Sequence, residues 1–219
     1  MKNKYTFTER VLADLTLYAG WEKTAVSEEE ILPFTDVKSS AWYYNAVEYV
    51  YNNKLMQGMT KTTFEPETTL TRAMFVTILH RAKGTPEAGE KSDFADVADG
   101  AWYKDAVDWA LEEGIAVGYD EETFAPNDTI TREQMASMLF RYVKKAGYDM
   151  SGSADLSEFT DKEKISDWAL EAVKWAIDNG IINGMTADEI APQGIATRAQ
   201  CAQILMQARK NLNLMGSDE

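Results

Sequence analysis

A glycine, a proline and a threonine–arginine pair recur three times at fixed spacing along this chain. In the middle copy, Pro126 lies 8 residues after Gly118, and Arg132 lies 6 residues after Pro126. The other copies have the same spacing without gaps: Gly58, Pro66, Thr71–Arg72 and Gly184, Pro192, Thr197–Arg198. Internal repetition on this scale is typical of tandem modules, none of which buries its apolar face alone.

The match also continues upstream of each glycine. A tryptophan lies 16 residues before it, and a Phe-x-Asp motif lies further up; these residues are Trp42, Trp102 and Trp168, with Asp36, Asp96 and Asp161. The arginines are 60 and then 66 residues apart. We expect an N-terminal half-repeat over residues 1–33, followed by repeats over 34–84, 85–150 and 151–219.

The pattern predicts a helix, a loop and a second helix in each repeat. In the first repeat, apolar residues with helical spacing predict a first helix over residues 41–53, with Trp42 at its head. Gly114 and Gly180 stand where a glycine ends a helix in the left-handed conformation, whereas Lys54 takes that place in the first copy.

The second helix of each repeat begins after the threonine. Thr131 followed by Gln134 is a capping-box signature, which places Arg132 at the first helical position. Apolar residues then recur on one face, for example Met135, Met138 and Leu139. The fold class predicted is therefore mainly α, with three helix–loop–helix repeats whose second helices share one core in a pseudo-threefold bundle.

The first 33 residues resemble the second half of a repeat. Leu12, Leu15 and Ala19 reproduce the apolar face, which predicts an extra N-terminal helix over residues 8–19. Because Glu9 stands where the arginine is expected, this helix is predicted to pack on the bundle without carrying a site.

Composition excludes several classes of function. The formal net charge of −14 opposes binding to nucleic acid, whose phosphates require a basic surface. One histidine and one cysteine leave no zinc spacing, so we expect neither a metal nor a cofactor. No apolar run is long enough to span a bilayer. The first ten residues lack the apolar core of a signal peptide, so any export signal is expected outside this chain.

Together, the Phe-x-Asp-Val, tryptophan, Gly-x₅-Phe-x-Pro and Thr-Arg-x-Gln elements resemble three tandem S-layer homology modules over about residues 34–210. The best-known motif of that family is Thr-Arg-Ala-Glu. This sequence keeps the arginine in every copy and replaces the glutamate each time, with Met74, Gln134 and Gln200.

The resemblance implies a non-catalytic, extracellular anchor that binds a secondary cell-wall polysaccharide, often one with a pyruvate ketal, in grooves between repeats. We expect the arginines to bind its carboxylate, because a guanidinium forms a planar fork and a helix N-terminus offers free N–H groups. Candidate ligand-binding residues are Arg72, Arg132, Arg198, Trp42, Trp102, Trp168, Gly58, Gly118, Gly184, Asp36, Asp96 and Asp161. Arg132 is expected to be the strongest contact, since the second repeat fits the pattern best.

Structural roles compete with these assignments. Trp42, Trp102 and Trp168 are expected to serve packing first, since a tryptophan at helical spacing usually lies in the core. The arginines can bridge the aspartates or a loop carbonyl, and the glycines are most simply turn residues at positive φ. Trp109 and Trp175 are predicted core residues; His80 is predicted to be a half-buried filler and Cys201 a core thiol.

Two further classes of function remain open. The chain can instead be a protein-binding helical scaffold on the bacterial surface, or, less favoured, a glycoside-acting enzyme; no unique carboxylate pair supports the enzyme. The sequence leaves the oligomeric state open.

Overall fold

The computed structural model describes residues 32–212, which are mainly α-helical and contain no β-strand. The six helices are α1 Tyr44–Asn52, α2 Arg72–Ala82, α3 Lys104–Glu112, α4 Arg132–Lys145, α5 Leu170–Asp178 and α6 Arg198–Leu212. Two 3₁₀ turns, Lys162–Lys164 and Asp167–Ala169, precede α5. The predicted fold class and helix–loop–helix order are confirmed in this range. The helix predicted over residues 8–19 lies outside the described residues.

The first helix of each repeat starts later than the apolar pattern indicates. Helix α1 begins at Tyr44, so Trp42 lies in the turn before it rather than at its head. Its C-terminal end matches the other copies although no glycine is present. Lys54 adopts φ 59°, close to φ 67° at Gly114, and the amide of Leu55 donates to the carbonyl of Val50 at 2.9 Å. The same helix ending therefore forms with Lys54, although the left-handed conformation is energetically costly for a residue with a Cβ atom.

Helices pair between repeats rather than within them. Helix α3 of the second repeat packs on α2 of the first, and α5 of the third packs on α4 of the second. The cycle closes because α1 of the first repeat packs on α6 of the third. Each repeat thus buries its first helix against the preceding second helix, and this is the pseudo-threefold arrangement expected.

A ring of backbone hydrogen bonds joins the three segments that lead into the second helices. Leu70 donates to Ala196 at 2.9 Å, Ala196 donates to Ile130 at 3.0 Å, and Ile130 donates to Leu70 at 2.9 Å. These three residues are fully buried. The ring places the starts of α2, α4 and α6 around one axis.

The three second helices also share one core, as the apolar face predicts. Leu79, Leu139 and Leu205 line the same cavity, one from each second helix. Trp109 and Trp175 are buried, which confirms their assignment to the core. No helix in the described part of the chain is long and apolar enough to cross a membrane.

Two other side chains adopt the structural roles predicted for them. Cys201 is fully buried, and burial raises the pKa of its thiol to about 12, so it is no nucleophile. His80 fills space beside Trp109 as predicted but is buried rather than half-buried, and its Nε2 atom lies 2.8 Å from the carbonyl oxygen of Pro86.

Candidate functional site

Each repeated arginine reaches into the loop of the next repeat around the axis. Arg72 donates from Nε to the carbonyl of Phe124 at 3.0 Å and from Nη2 to that of Val117 at 2.8 Å. Arg132 makes the same pair of bonds to Ile190 and Asn183 in the third repeat, at 2.9 and 2.7 Å. Arg198 closes the cycle on Phe64 and Gln57 of the first repeat, at 2.8 and 2.6 Å.

These guanidinium groups are buried but have no counter-ion among residues 32–212. Arg72, Arg132 and Arg198 are 3%, 5% and 5% exposed, and no described carboxylate lies within 4.0 Å of them. Two structural roles were considered for these arginines. They bond to loop carbonyls, and they form no salt bridge to a described aspartate. Burial lowers the pKa of all three arginines, although nearby acidic groups partly oppose this. In each, Nη1 has no acceptor within the described range.

The helix N-termini beside these arginines are already satisfied, contrary to expectation. The amide of Arg132 donates to Gly194 at 2.9 Å, that of Glu133 to Pro192 at 3.0 Å, and that of Gln134 to the Thr131 hydroxyl at 3.3 Å. The Thr131–Gln134 capping box predicted from the sequence is present. In the first repeat, Thr71 caps α2 through the amide of Met74 alone. The loop of the next repeat thus occupies the N–H groups that we expected a ligand to use.

The three aspartates hold the loops that receive the arginines. Both carboxylate oxygens of Asp161 accept backbone N–H bonds, from Ile190 at 2.9 Å and Ala191 at 2.7 Å. Asp36 and Asp96 do the same at the equivalent positions. The second residue of each bonded pair has positive φ without being glycine: Glu65, Ala125 and Ala191. Each aspartate therefore fixes a strained turn directly next to the carbonyl that accepts from an arginine.

The repeated glycines are needed for close approach and not for positive φ, which corrects the simple turn assignment. Gly58, Gly118 and Gly184 all lie outside the positive-φ region. A Cβ atom added at Gly118 would lie 2.5 Å from the carbonyl oxygen of Asp120 and 2.6 Å from the ring of Phe94. These glycines let the loop fold tightly over the phenylalanine of its own repeat.

The three tryptophans that precede the first helices are the largest exposed apolar groups in the described chain. Trp42, Trp102 and Trp168 are 62%, 63% and 55% exposed. A packing role does not account for this exposure, because a Trp that serves the core is mostly buried.

One groove brings together candidates from all three repeats. Arg198 of the third repeat, Gly58 of the first and Trp102 of the second line the same cavity of about 190 Å³. We call it the first groove. Met74 and Arg81 of α2 complete its wall. The residues at the equivalent positions of the repeat are Arg72, Gly118 and Trp168 in one set, and Arg132, Gly184 and Trp42 in the other.

Two kinds of groove residue were not identified from the sequence. The carbonyls of Gln57, Val117 and Asn183 accept from the arginines, but their side chains differ, so no pattern marks them. Arg81 does have a signal, since it lies nine residues after Arg72 as Arg141 does after Arg132. Gln207 takes this position in the third repeat.

Comparison with protein families assigns this architecture. The S-layer homology domain matches three times, at residues 33–74, 93–136 and 158–202. The chain belongs to the S-layer homology family. The three matches together cover more than half of the chain and contain all three arginines.

Relatives of this S-layer homology protein include enzymes and surface proteins. Exoglucanase XynX of Acetivibrio thermocellus is 37% identical over 78% of this chain, which covers 16% of that protein. A surface-layer 125 kDa protein of Lysinibacillus sphaericus is 31% identical over 80% of the chain and 15% of its own length. A cellulosome-anchoring protein of A. thermocellus is 27% identical over 70% of this chain, which covers 34% of that protein. The chain thus spans a minor part of each of these relatives.

Proposed function

We propose that this S-layer homology protein is a non-catalytic anchor that holds a larger protein on the outside of the bacterial cell wall by binding an anionic wall polysaccharide. The observation that carries the proposal is a buried arginine in a groove beside an exposed tryptophan, with no carboxylate partner among residues 32–212. The first groove has this arrangement with Arg198 and Trp102.

Each arginine is buried without a counter-ion in the described part of the chain, and this leaves it prepared for an anion. Removing a charge from water is costly unless the charge is paired, and carbonyl dipoles compensate only in part. A sugar-bound carboxylate, such as a pyruvate ketal, would supply the missing negative charge and accept from Nη1. Because the loop carbonyls fix the guanidinium in place, little conformational entropy is lost on binding.

The exposed tryptophans fit the sugar ring that carries such a carboxylate. An indole offers a broad apolar face, with a polar N–H at its edge. The aspartates, by contrast, use both carboxylate oxygens on their own loops, so we assign them to positioning the loops and not to contact with the ligand. The glycines likewise shape the loops.

The family comparisons support anchoring over catalysis. An exoglucanase, an amylopullulanase and S-layer proteins all match this chain over most of its length. A shared segment found with such different activities carries none of them in particular. The name of the cellulosome-anchoring relative describes the role that the shared segment fits best.

Purified wall sacculi test this function directly. We expect the protein to co-sediment with sacculi that retain their secondary polymer, and not with sacculi from which the polymer has been removed chemically. Equal binding to both preparations would contradict the polysaccharide anchor. It would favour the protein-binding scaffold, for which the exposed apolar side chains Met59, Trp102 and Met185 are the supporting observation.

Variants of the tryptophans and arginines test which residues bind. Because Trp102 is exposed, Trp102→Ala should leave thermal unfolding nearly unchanged and weaken binding to polymer-bearing sacculi. Trp42→Ala and Trp168→Ala test the equivalent positions in the other repeats.

Arg198→Lys should restore only part of the affinity lost in Arg198→Ala, since an ammonium cannot replace the fork.

The expectation that Arg132 contributes most stays a prediction. Calorimetry on Arg72→Lys, Arg132→Lys and Arg198→Lys, with folding checked by circular dichroism, ranks the grooves. If all arginine and tryptophan variants fold and bind like the parent, the groove assignment is wrong.

A further inference from the structure

A second, larger groove adjoins the first one across Trp102. It encloses about 600 Å³ between α2, the start of α3 and the inter-repeat segment 85–91. Trp102, Thr77 and Arg81 line both grooves, so Trp102 stands on their common boundary. Its volume lies within the range of about 300–1,000 Å³ that small-molecule sites occupy. We call it the linker groove.

The far wall of the linker groove is held in place by contacts at four points. The amide of Thr85 donates to His80 at 2.9 Å, and the Pro86 carbonyl lies 2.8 Å from the imidazole of the same residue. The amide of Gly89 donates to a carboxylate oxygen of Glu112 at 2.7 Å. Just beyond the wall, the buried Lys104–Asp108 pair binds the backbone of Ser92 at both its amide and its carbonyl. A wall fixed in this way is preformed, which favours binding.

The Lys104–Asp108 pair is not repeated in the third module. The positions of Lys104 and Asp108, counted from Trp102, correspond to Leu170 and Lys174, counted from Trp168. The buried ion pair is thus particular to the junction between the first two repeats.

The linker groove is lined by charges of both signs, whereas the charged residues of the first groove are arginines. Its cations are Arg81 and Lys91, and its carboxylates are Glu87, Asp105 and Asp108, the last of which is paired with Lys104. Thr77 and Thr85 add hydroxyl groups. Such a lining gives no preference for an anion, and it offers both donors and acceptors to the hydroxyl and acetamido groups of an uncharged sugar.

We propose that the linker groove is a second saccharide subsite, which binds the neutral sugar next to the acidic one held in the first groove. This inference rests on the proposed anchoring function. Trp102 would contact both units, one from each groove. The junction between the first two repeats therefore recognises at least a disaccharide of the wall polymer.

Calorimetry on the full chain tests the subsite with two synthetic probes. The first is a pyruvyl-ketal monosaccharide methyl glycoside, and the second is the same unit extended by one neutral N-acetylhexosamine. We expect the disaccharide to bind about three- to tenfold more tightly, the effect of one or two ordinary hydrogen bonds. Asp105→Ala should remove this gain and keep the affinity for the monosaccharide.

Glu171→Ala is the matched control. Glu171 lies three residues after Trp168, as Asp105 does after Trp102, and both side chains are exposed. The control should keep the disaccharide gain. If the parent binds both probes equally well, the linker groove is not a subsite, and the anchoring function stands. If Asp105→Ala and Glu171→Ala reduce the gain equally, the subsite is not at this junction. If neither probe nor polymer-bearing sacculi bind, both proposals fail.

Discussion

Lys54 adopts a backbone conformation for which the other two repeats use glycine. It ends α1 at φ 59°, where Gly114 and Gly180 end α3 and α5 at φ 67° and 61°. A Cβ atom makes this region unfavourable, and the packing of Leu55 and Met56 imposes it nonetheless.

We therefore predict that Lys54→Gly stabilises the protein by about 1 kcal/mol, the conformational cost that glycine avoids. Gly114→Lys is the reverse control and should destabilise it by a similar amount, because φ 67° is unfavourable for a residue with a Cβ atom. A Cβ there meets no atom within 4 Å, so no steric clash adds to this cost. Urea unfolding monitored by circular dichroism measures both. No gain from Lys54→Gly would mean that its side chain makes a compensating contact.

Asp161 is the most buried of the loop-holding aspartates. It is 5% exposed, whereas Asp96 at the equivalent position is exposed. An asparagine keeps one acceptor and turns an amide group towards the second backbone N–H. We predict that Asp161→Asn costs about 1.5–3 kcal/mol of unfolding free energy, the range for a hydrogen bond to a charged group. Asp96→Asn should cost less, because water can replace the lost bond.

Urea unfolding of the two asparagine variants measures this difference. Equal costs would show that burial does not set the strength of these loop anchors.

At the scale of elements, the Lys104–Asp108 pair ties α3 to the segment before it. The ammonium lies 2.7 Å from the carboxylate, and both side chains are buried. Removing one partner of such a pair leaves an uncompensated charge, so we predict that Asp108→Ala destabilises by about 3–5 kcal/mol. The double variant Lys104→Leu/Asp108→Ala, with leucine as at position 170, should recover most of the loss. A double variant as unstable as the single one would contradict this account.

The same pair gives a pH dependence of known sign. Burial raises the pKa of Asp108, but the hydrogen bonds from Lys104 and Ser92 outweigh it, and the pKa lies below its ordinary value. The folded form therefore binds the proton more weakly than the unfolded form. The contribution is present above the unfolded pKa of about 3.9 and is lost as pH falls through the lower folded pKa. Between these two pKa values, the unfolding free energy should fall more steeply with decreasing pH in the parent than in the double variant.

At the scale of the whole molecule, the cycle of contacts makes the three repeats interdependent. Each arginine bonds to the next loop, each first helix packs on the preceding second helix, and the Leu70–Ala196–Ile130 ring closes the axis. A linear array of repeats has free ends and can unfold from them, but a closed ring has none.

We predict one cooperative unfolding transition for the three repeats. Far-ultraviolet circular dichroism and tryptophan fluorescence should give coincident curves in urea, because five of the six tryptophans are spread over the three repeats. Two separated transitions would show that a repeat unfolds independently. Arg72→Ala and Arg198→Ala should each lower the single midpoint, since both break the same cycle.

The sequence alone determined the local features of this protein. Fixed spacing identified three repeats, the apolar faces after each arginine identified second helices with a common core, and Thr131 with Gln134 identified a capped helix start. These are short-range or periodic signals, which depend on residues close together in the sequence and not on tertiary contacts. The family resemblance could be identified for the same reason, because it consists of particular residues at fixed spacing.

Only the tertiary structure decided what each repeated residue contacts. A groove that combines Gly58, Trp102 and Arg198 crosses all three repeats, and no pattern within one repeat contains that information. The free N–H groups expected at the helix starts are bonded to Pro126, Pro192 and Pro66 and to nearby loop carbonyls of the next repeat. Backbone acceptors leave no trace in residue type, so the sequence cannot reveal them. The physical reason is ring closure, because it brings positions far apart in the chain within hydrogen-bond distance.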